Sequence, residues 1–246
     1  YMKKNGFTLT EALLTLSIIG VLAVLLLPRM IQHVNNSYAG ASLSKVVSQI
    51  ESGCQTMIST ATERTGHVYT TLGDINAGDI LHVTNASVSE DAPLAVAIKD
   101  IGYTYLNLDP LDSTRDGVSN IATNITSYDG SSISDDEAKI ADSSKYQCKG
   151  FPANVYITSD ITADSNDISD ADATIATVYI DVNGYSETPN KFGKDLFVFE
   201  LKNNGKMIPY GIDEDDSYKD NCSNSKITNG KACTARVVTD GWQIKY

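Results

Sequence analysis

The sequence predicts an α+β fold: one long N-terminal helix, membrane-spanning in its first half, packed by its second half on a small antiparallel β-sheet head. Three observations predict it. The 21 residues from Phe7 to Leu27 are almost wholly apolar and hold a single charge, Glu11. Further on, Leu43, Val46, Val47, Ile50, Cys54, Met57, Ile58 and Ala61 recur at the spacing of one helix face. After Cys148, runs of β-branched and aromatic residues alternate with turn residues.

The first element is the apolar run. As a helix rising ~1.5 Å per residue it crosses a hydrocarbon core of ~30 Å. An ionised carboxylate inside such a span costs roughly 2.5–3.5 kcal/mol on insertion scales, so Glu11 calls for a partner or a function. A secretory signal would have a short apolar core and a small-residue cleavage site just after it. Here Pro28, Arg29 and Met30 follow instead, and the nearest A-x-A pattern, Ala39-Gly40-Ala41, lies too far downstream. A plain single-span anchor fits the length and leaves Glu11 without a purpose. Lys3 and Lys4 precede the span and only Arg29 follows it closely, which places the N-terminus in the cytoplasm and the C-terminus outside it. Tyr1 stands before Met2, which reads as the initiator, and carries no role here.

The pattern Lys3-Lys4-Asn5-Gly6/Phe7-Thr8-Leu9-Thr10-Glu11 resembles the N-terminus of type IV pilins and type II secretion pseudopilins. In that family a membrane peptidase cuts after the glycine and methylates the new amino terminus. The resemblance implies cleavage between Gly6 and Phe7 and places Glu11 fifth in the mature chain, where the family carries its glutamate. It also implies a pilin-like head, self-assembly with related subunits, and an inner-membrane assembly platform as partner, with membrane lipid around the helix before assembly. The location implied is the cytoplasmic membrane, then a periplasmic or surface filament. The same N-terminus on a chain that never polymerises, a membrane-anchored binding protein or adhesin, is the alternative.

The helix is expected to continue to about Thr62, roughly 80 Å in all at ~1.5 Å per residue. Gly20 and Pro28 are its weak points, since proline removes a backbone donor and crowds the preceding turn. In the resembled family the segment between such residues can unwind; a simple bend at the membrane surface is the other reading. The organisation predicted is thus a leader over 1–6, a spanning helix over 7–28, its amphipathic continuation over 29–62, an irregular region over 63–150, and a sheet with a stapled C-terminal region over 151–246. Within the irregular region Ala92 to Ile101 reads as a helix, opened by Ser89, Glu90, Asp91 and the early Pro93, with irregular loops and room for short strands elsewhere. Three or four strands are expected, from Phe151–Thr158, Thr174–Val182, Asp195–Lys202 and Lys206–Tyr210, the last two joined by an Asn203-Asn204-Gly205 turn.

Composition bounds the function. The formal charge is −12; without Lys3, Lys4 and Glu11 the 19 basic and 31 acidic residues become 17 and 30, so the segment from Pro28 onward carries −13. Such a head repels phosphate backbones, and no nucleic-acid partner is expected. No enzyme is expected either: His33, His67 and His82 show no metal spacing, and no nucleophile or phosphate-loop pattern occurs. Four cysteines, Cys54, Cys148, Cys222 and Cys233, allow two disulfides in an exported head, with three connectivities. The resemblance favours Cys222–Cys233, a short C-terminal loop of a kind pilins staple, which leaves Cys54–Cys148 as the second pair; a buried free thiol at Cys54 is the alternative. No cofactor is required. Calcium is the one ion the acidic runs suggest: Asp181, Asn183 and Asp195 place oxygens around a turn, and Asp213 to Asp216 form a second run, without a complete EF-hand loop at either.

Overall fold

The structure, a computed structural model, describes residues 8–80, 88–111, 125–150, 152–159, 170–184, 187–212, 218–223 and 226–246. The chain divides into two compact units, Tyr1–Tyr38 and Ala39–Tyr246. Helix α1, Leu9–Thr65, begins in the first and continues in the second.

In the first unit the helix is apolar on every side. Leu13, Leu14, Leu16, Ile18, Ile19, Leu22, Leu25, Leu26 and Leu27 are all about half exposed or more. Water does not tolerate such a surface on a lone helix, so lipid or other helices must cover it. The helix is long and apolar enough to cross a membrane. Its hydroxyls are satisfied internally: Thr15 Oγ1 donates to the Ala12 carbonyl and Ser17 Oγ to that of Leu13. Pro28 sits inside the helix, and open space surrounds the position a Gly20 side chain would take.

The second unit is the α+β head. The predicted stripe is its spine: Leu43, Val46, Ile50, Cys54, Met57 and Ala61 have no exposed surface. Against it lies a six-stranded antiparallel meander of β1 (Leu108–Pro110), β2 (Ser144–Cys148), β3 (Asn154–Ile157), β4 (Thr174–Asp181), β5 (Leu196–Lys202) and β6 (Met207–Pro209), paired in chain order. Val155, Ile157, Val178, Ile180, Phe197, Phe199 and Leu201 share the core with α1. Tyr156, Tyr179, Leu196 and Val198 point the other way, into a second core with Ile125, Ile140 and Phe192. Both faces are therefore covered, which is why the strands read as near-continuous apolar runs. Pro110 and Pro209 end the two edge strands, where a missing donor is tolerated.

Polar contacts fix how α1 lies on the head. Gln49 Nε2 donates to the carbonyls of Leu106 (2.8 Å) and Asn107 (3.1 Å), Gln55 Nε2 to that of Asn204 (3.0 Å), and Glu51 Oε1 accepts the Met207 N–H of the β6 edge (3.0 Å). The Asn203-Asn204-Gly205 turn forms as expected, and Gly205 is required twice over. Its φ is +80°, and a Cβ there would come within 2.8 Å of the Cys54 Cβ.

The region 63–150 is more ordered than the sequence predicts. It contains α2 (Ala77–Ile80), α3 (Leu94–Ile101) with a 3-10 turn over Gly102–Thr104, α4 (Ser134–Asp142), β1 and β2. Two short strands come from here and join the four expected after Cys148, so the sheet has six. Two short C-terminal helices, α5 (Tyr218–Asn221) and α6 (Cys233–Thr239), complete the head. Lys231 Nζ reaches both oxygens of Asp136 on α4 at 3.0 Å, Tyr179 Oη donates to the same carboxylate (3.0 Å), and the Tyr210 ring lies under the ammonium (4.9 Å).

Cys222 and Cys233 are bonded. Cys54 and Cys148 are not: both are buried free thiols, and the expected second bridge is absent. The reason is their place across the sheet. Cys54 packs on Gly205 in the β5–β6 turn, whereas Cys148 lies on β2 opposite Leu108 of the β1 edge, several strands away at ~4.8 Å per strand. A disulfide needs Cα atoms within ~7 Å. Burial pushes both thiols up to about 12, aided at Cys54 by Glu51 and opposed at Cys148 by Lys45. Alkylation of the folded chain is expected to label no cysteine, and unfolding without reductant to expose Cys54 and Cys148 alone. A peptide mass map with any other pair labelled contradicts this assignment.

Candidate functional site

The candidate assembly site lies at the start of α1. Gly6 and Phe7 are outside the described residues; Glu11 is inside them and exposed. Thr8 precedes the first helical residue, and the four residues Thr8-Leu9-Thr10-Glu11 form a capping box. The Thr8 N–H donates to Glu11 Oε2 (2.9 Å), the Thr8 hydroxyl donates to the same oxygen (2.8 Å), and the Glu11 N–H reaches Thr8 Oγ1 (3.3 Å). The T-x-x-E spacing was legible in the sequence, yet only the charge of Glu11 draws attention there; Thr8 is the site residue that sequence reading missed.

This arrangement has a chemical consequence. The Glu11 carboxylate is the only ionised group between Thr8 and Pro28, and it is held by donors of its own chain. Both come from one side, at the helix N-terminus, where the aligned peptide dipoles also favour a negative charge. A carboxylate has roughly four lone-pair sites, so capacity remains for a cationic donor approaching from another chain.

The second set of predicted residues is brought together in the head. Asp181 ends β4, Asp195 precedes β5, and Asn183 bridges them: its N–H lies 3.3 Å from Asp181 Oδ1 and its Nδ2 donates to Asp195 Oδ2 (3.2 Å). Gly184 N–H also donates to Asp181 (3.1 Å), and Asn190 and Lys191 N–H donate to Asp195 (2.9 and 2.6 Å). Burial pushes the Asp181 carboxyl up to about 8, with the nearby Asp195 adding to it and the Gly184 and Asn183 N–H groups opposing. Burial raises Asp195 too, against the donors from Lys191, Asn190 and Asn183. The other acidic run, Asp213 to Asp216, and His82 lie outside the described residues. His33 and His67 are exposed. Among the described residues no three His, Cys, Asp or Glu side chains converge as a metal cluster.

Residues 1–27 match the family described as the prokaryotic N-terminal methylation motif. The match thus takes in Gly6, Phe7, Glu11 and Gly20, and stops before Pro28 and the head. No curated protein and no solved structure matches the chain.

Proposed function

We propose that this chain, whose first 27 residues carry the prepilin signal of type IV pilins and pseudopilins, is a structural subunit of a type IV pilus-like filament. The single observation that carries the reading is Glu11, a carboxylate in an all-round apolar helix, ordered by Thr8 and with room for a second partner. While the Gly6–Phe7 bond is intact, the Phe7 nitrogen is a neutral amide. A prepilin peptidase adds water across that bond, and Phe7 gains an ammonium that methylation keeps charged. The ammonium of one subunit then meets Glu11 of its neighbour in a water-free core, where a pair is tolerated and either charge alone is not. Cleavage thereby decides when assembly begins.

The rest follows from placement. The precursor sits in the inner membrane with its N-terminus in the cytoplasm and lipid around residues 8–28. An assembly platform there extracts the helix, and the acidic, disulfide-stapled head faces outward. Both a pilus subunit and a type II secretion pseudopilin fit this account. Glu11 weighs against the tip-initiating subunit, which in secretion systems often lacks that acid. Fractionation of the native host tests the reading. Recovery of the chain in sheared surface filaments supports a pilus, and recovery in short periplasmic assemblies with related subunits supports a pseudopilus. A chain that stays monomeric in the membrane would be an anchored binding protein, and the proposal would fail.

A further inference from the structure

We infer, on the filament reading above, that the head carries a basic and an acidic end, and that the basic end of one copy docks on the acidic end of the next. Charge is unevenly spread along the chain. Residues 29–190 hold 8 basic and 22 acidic side chains and so carry −14, whereas residues 191–246 hold 9 and 8 and carry +1.

The fold turns this bias into two ends along α1. At Gly40 the C-terminal segment crosses the helix, where the Trp242 carbonyl leaves no room for a Cβ. Beside that crossing Tyr246 Oη donates to the Gly193 carbonyl (2.7 Å), the Tyr246 ring meets that of Tyr128 (6.2 Å), and Arg236 lies over it (5.2 Å). These contacts gather Lys191, Lys194, Arg236 and Lys245 at one end of the head, with Lys194 and Lys245 exposed. The acids among them are engaged or inside. Asp240 pairs with Arg236 (3.6 Å), Asp129 accepts from Ser127 Oγ and the Ser131 N–H, and Asp195 is buried.

The other end is where α1 stops, at Thr65, roughly 37 Å beyond Gly40 at ~1.5 Å per residue. There the Tyr69 N–H donates to Thr62 Oγ1 (3.3 Å), the Tyr69 hydroxyl to Asp79 (3.4 Å), and the Gly78 N–H to the Glu90 carbonyl (2.9 Å). Glu63, Asp74, Asp79, Glu90 and Asp91 share this end. Its one cation, Arg64, donates to the Ile80 carbonyl (3.4 Å), and no other lysine or arginine occurs before Lys99. Among the described residues, none of these five acids takes part in an ion pair, and neither do Lys191, Lys194 and Lys245.

A filament crowds together heads that each carry −13, and their like charge opposes it. Setting the basic end of one head on the acidic end of the next turns that repulsion into attraction. An anionic lipid surface repels such a head as a whole, so a second copy is the occupant the charges fit. Two unlike patches meeting in this way form a heterologous contact, which extends into an open helix wherever its rotation does not close. The proposed Phe7–Glu11 contact has the same character. Charge pairs of this kind set register and exclude wrong packing more than they add affinity.

The test uses the full chain in its native host. Carbodiimide joins an amine directly to a carboxylate that it touches, and treated wild-type filaments are expected to yield peptides linking Lys194 or Lys245 to Glu90 or Asp91. The separation along α1 makes any such link one between copies. K194E/K245E is expected to lower the yield of sheared filaments at least about tenfold, E90K/D91K to do the same, and the four changes together to restore it to within about twofold. Misfolding would not produce that recovery. Wild-type yield from either double variant, no recovery in the combined one, or filaments without those links would overturn the inference and leave the filament reading standing. Normal yield from K194E/K245E with lost retention on phosphatidylglycerol vesicles would assign the basic end to lipid and overturn it too. A wild-type chain that enters no filament would overturn both.

Discussion

Glu11→Ala is expected to insert into the membrane as well as the parent chain does and to fail to enter filaments. Insertion does not suffer, because an intramembrane carboxylate opposes it by roughly 2.5–3.5 kcal/mol and its removal relieves that cost. Assembly is expected to suffer, because in the proposed filament the neighbour's Phe7 ammonium would be left buried and unpaired. Breaking one side of a buried pair costs ~3–5 kcal/mol, more than a hundredfold in the equilibrium for adding a subunit. The alanine also dismantles the capping box, worth about 1 kcal/mol of local helix stability. Glu11→Gln separates the two roles. A glutamine carbonyl still accepts the Thr8 N–H, since capping boxes use either residue, but it carries no charge. Quantifying sheared filaments from both variants is the measurement, and the glutamine form is expected to fail as the alanine form does. Wild-type filament yield from Glu11→Gln would mean that Glu11 serves only to cap α1.

Gly40→Ala destabilises the head although alanine is the better helix former by about 1 kcal/mol. Gly40 lies within α1, and the C-terminal segment crosses it so closely that a Cβ would sit 1.9 Å from the Trp242 carbonyl oxygen and 3.0 Å from its carbon. Both are backbone atoms, so no rotamer change relieves the clash. That segment is held beyond the crossing as well: Tyr246 Oη donates to the Gly193 carbonyl (2.7 Å), and the Arg236 guanidinium lies over the Tyr246 ring (5.2 Å). Overpacking of this kind costs ~1–3 kcal/mol, enough to outweigh the helix propensity gained. Trp242 is the only tryptophan in the chain and so reports on the site directly. The expected result is a lower melting temperature with a red-shifted emission. Unchanged emission and a higher melting temperature would show that the crossing yields freely.

These two positions show what the sequence made legible. Glu11 stood out because a lone charge in an apolar run conflicts with its surroundings, and the stripe from Leu43 to Ala61 because its period is helical. Both signals are local. Gly40 carries a local signal too, a weak point in a helix, yet its purpose lies in Trp242 at the far end of the chain. The same limit hid β2, whose Ser144-Lys145-Tyr146-Gln147-Cys148 is a strand because Tyr146 pairs with Pro110 on one side and Val155 on the other. It hid α4 as well, an acidic helix of which, among the described residues, only Ile140 joins the apolar core. Cysteine arithmetic gave an even count but could not place Cys54 beside the β5–β6 turn and Cys148 on β2, strands apart in the sheet order.

Mass analysis of the N-terminal peptide from assembled filaments separates assembly that requires the Gly6–Phe7 cut from assembly of the uncleaved chain. A chain that begins at N-methylated Phe7, with residues 1–6 absent, is expected, because the ammonium proposed to pair with Glu11 does not exist before the Gly6–Phe7 bond is cut. Filaments whose subunits retain Met2 to Gly6 would contradict it, since assembly would then proceed without the charge on which the pairing depends.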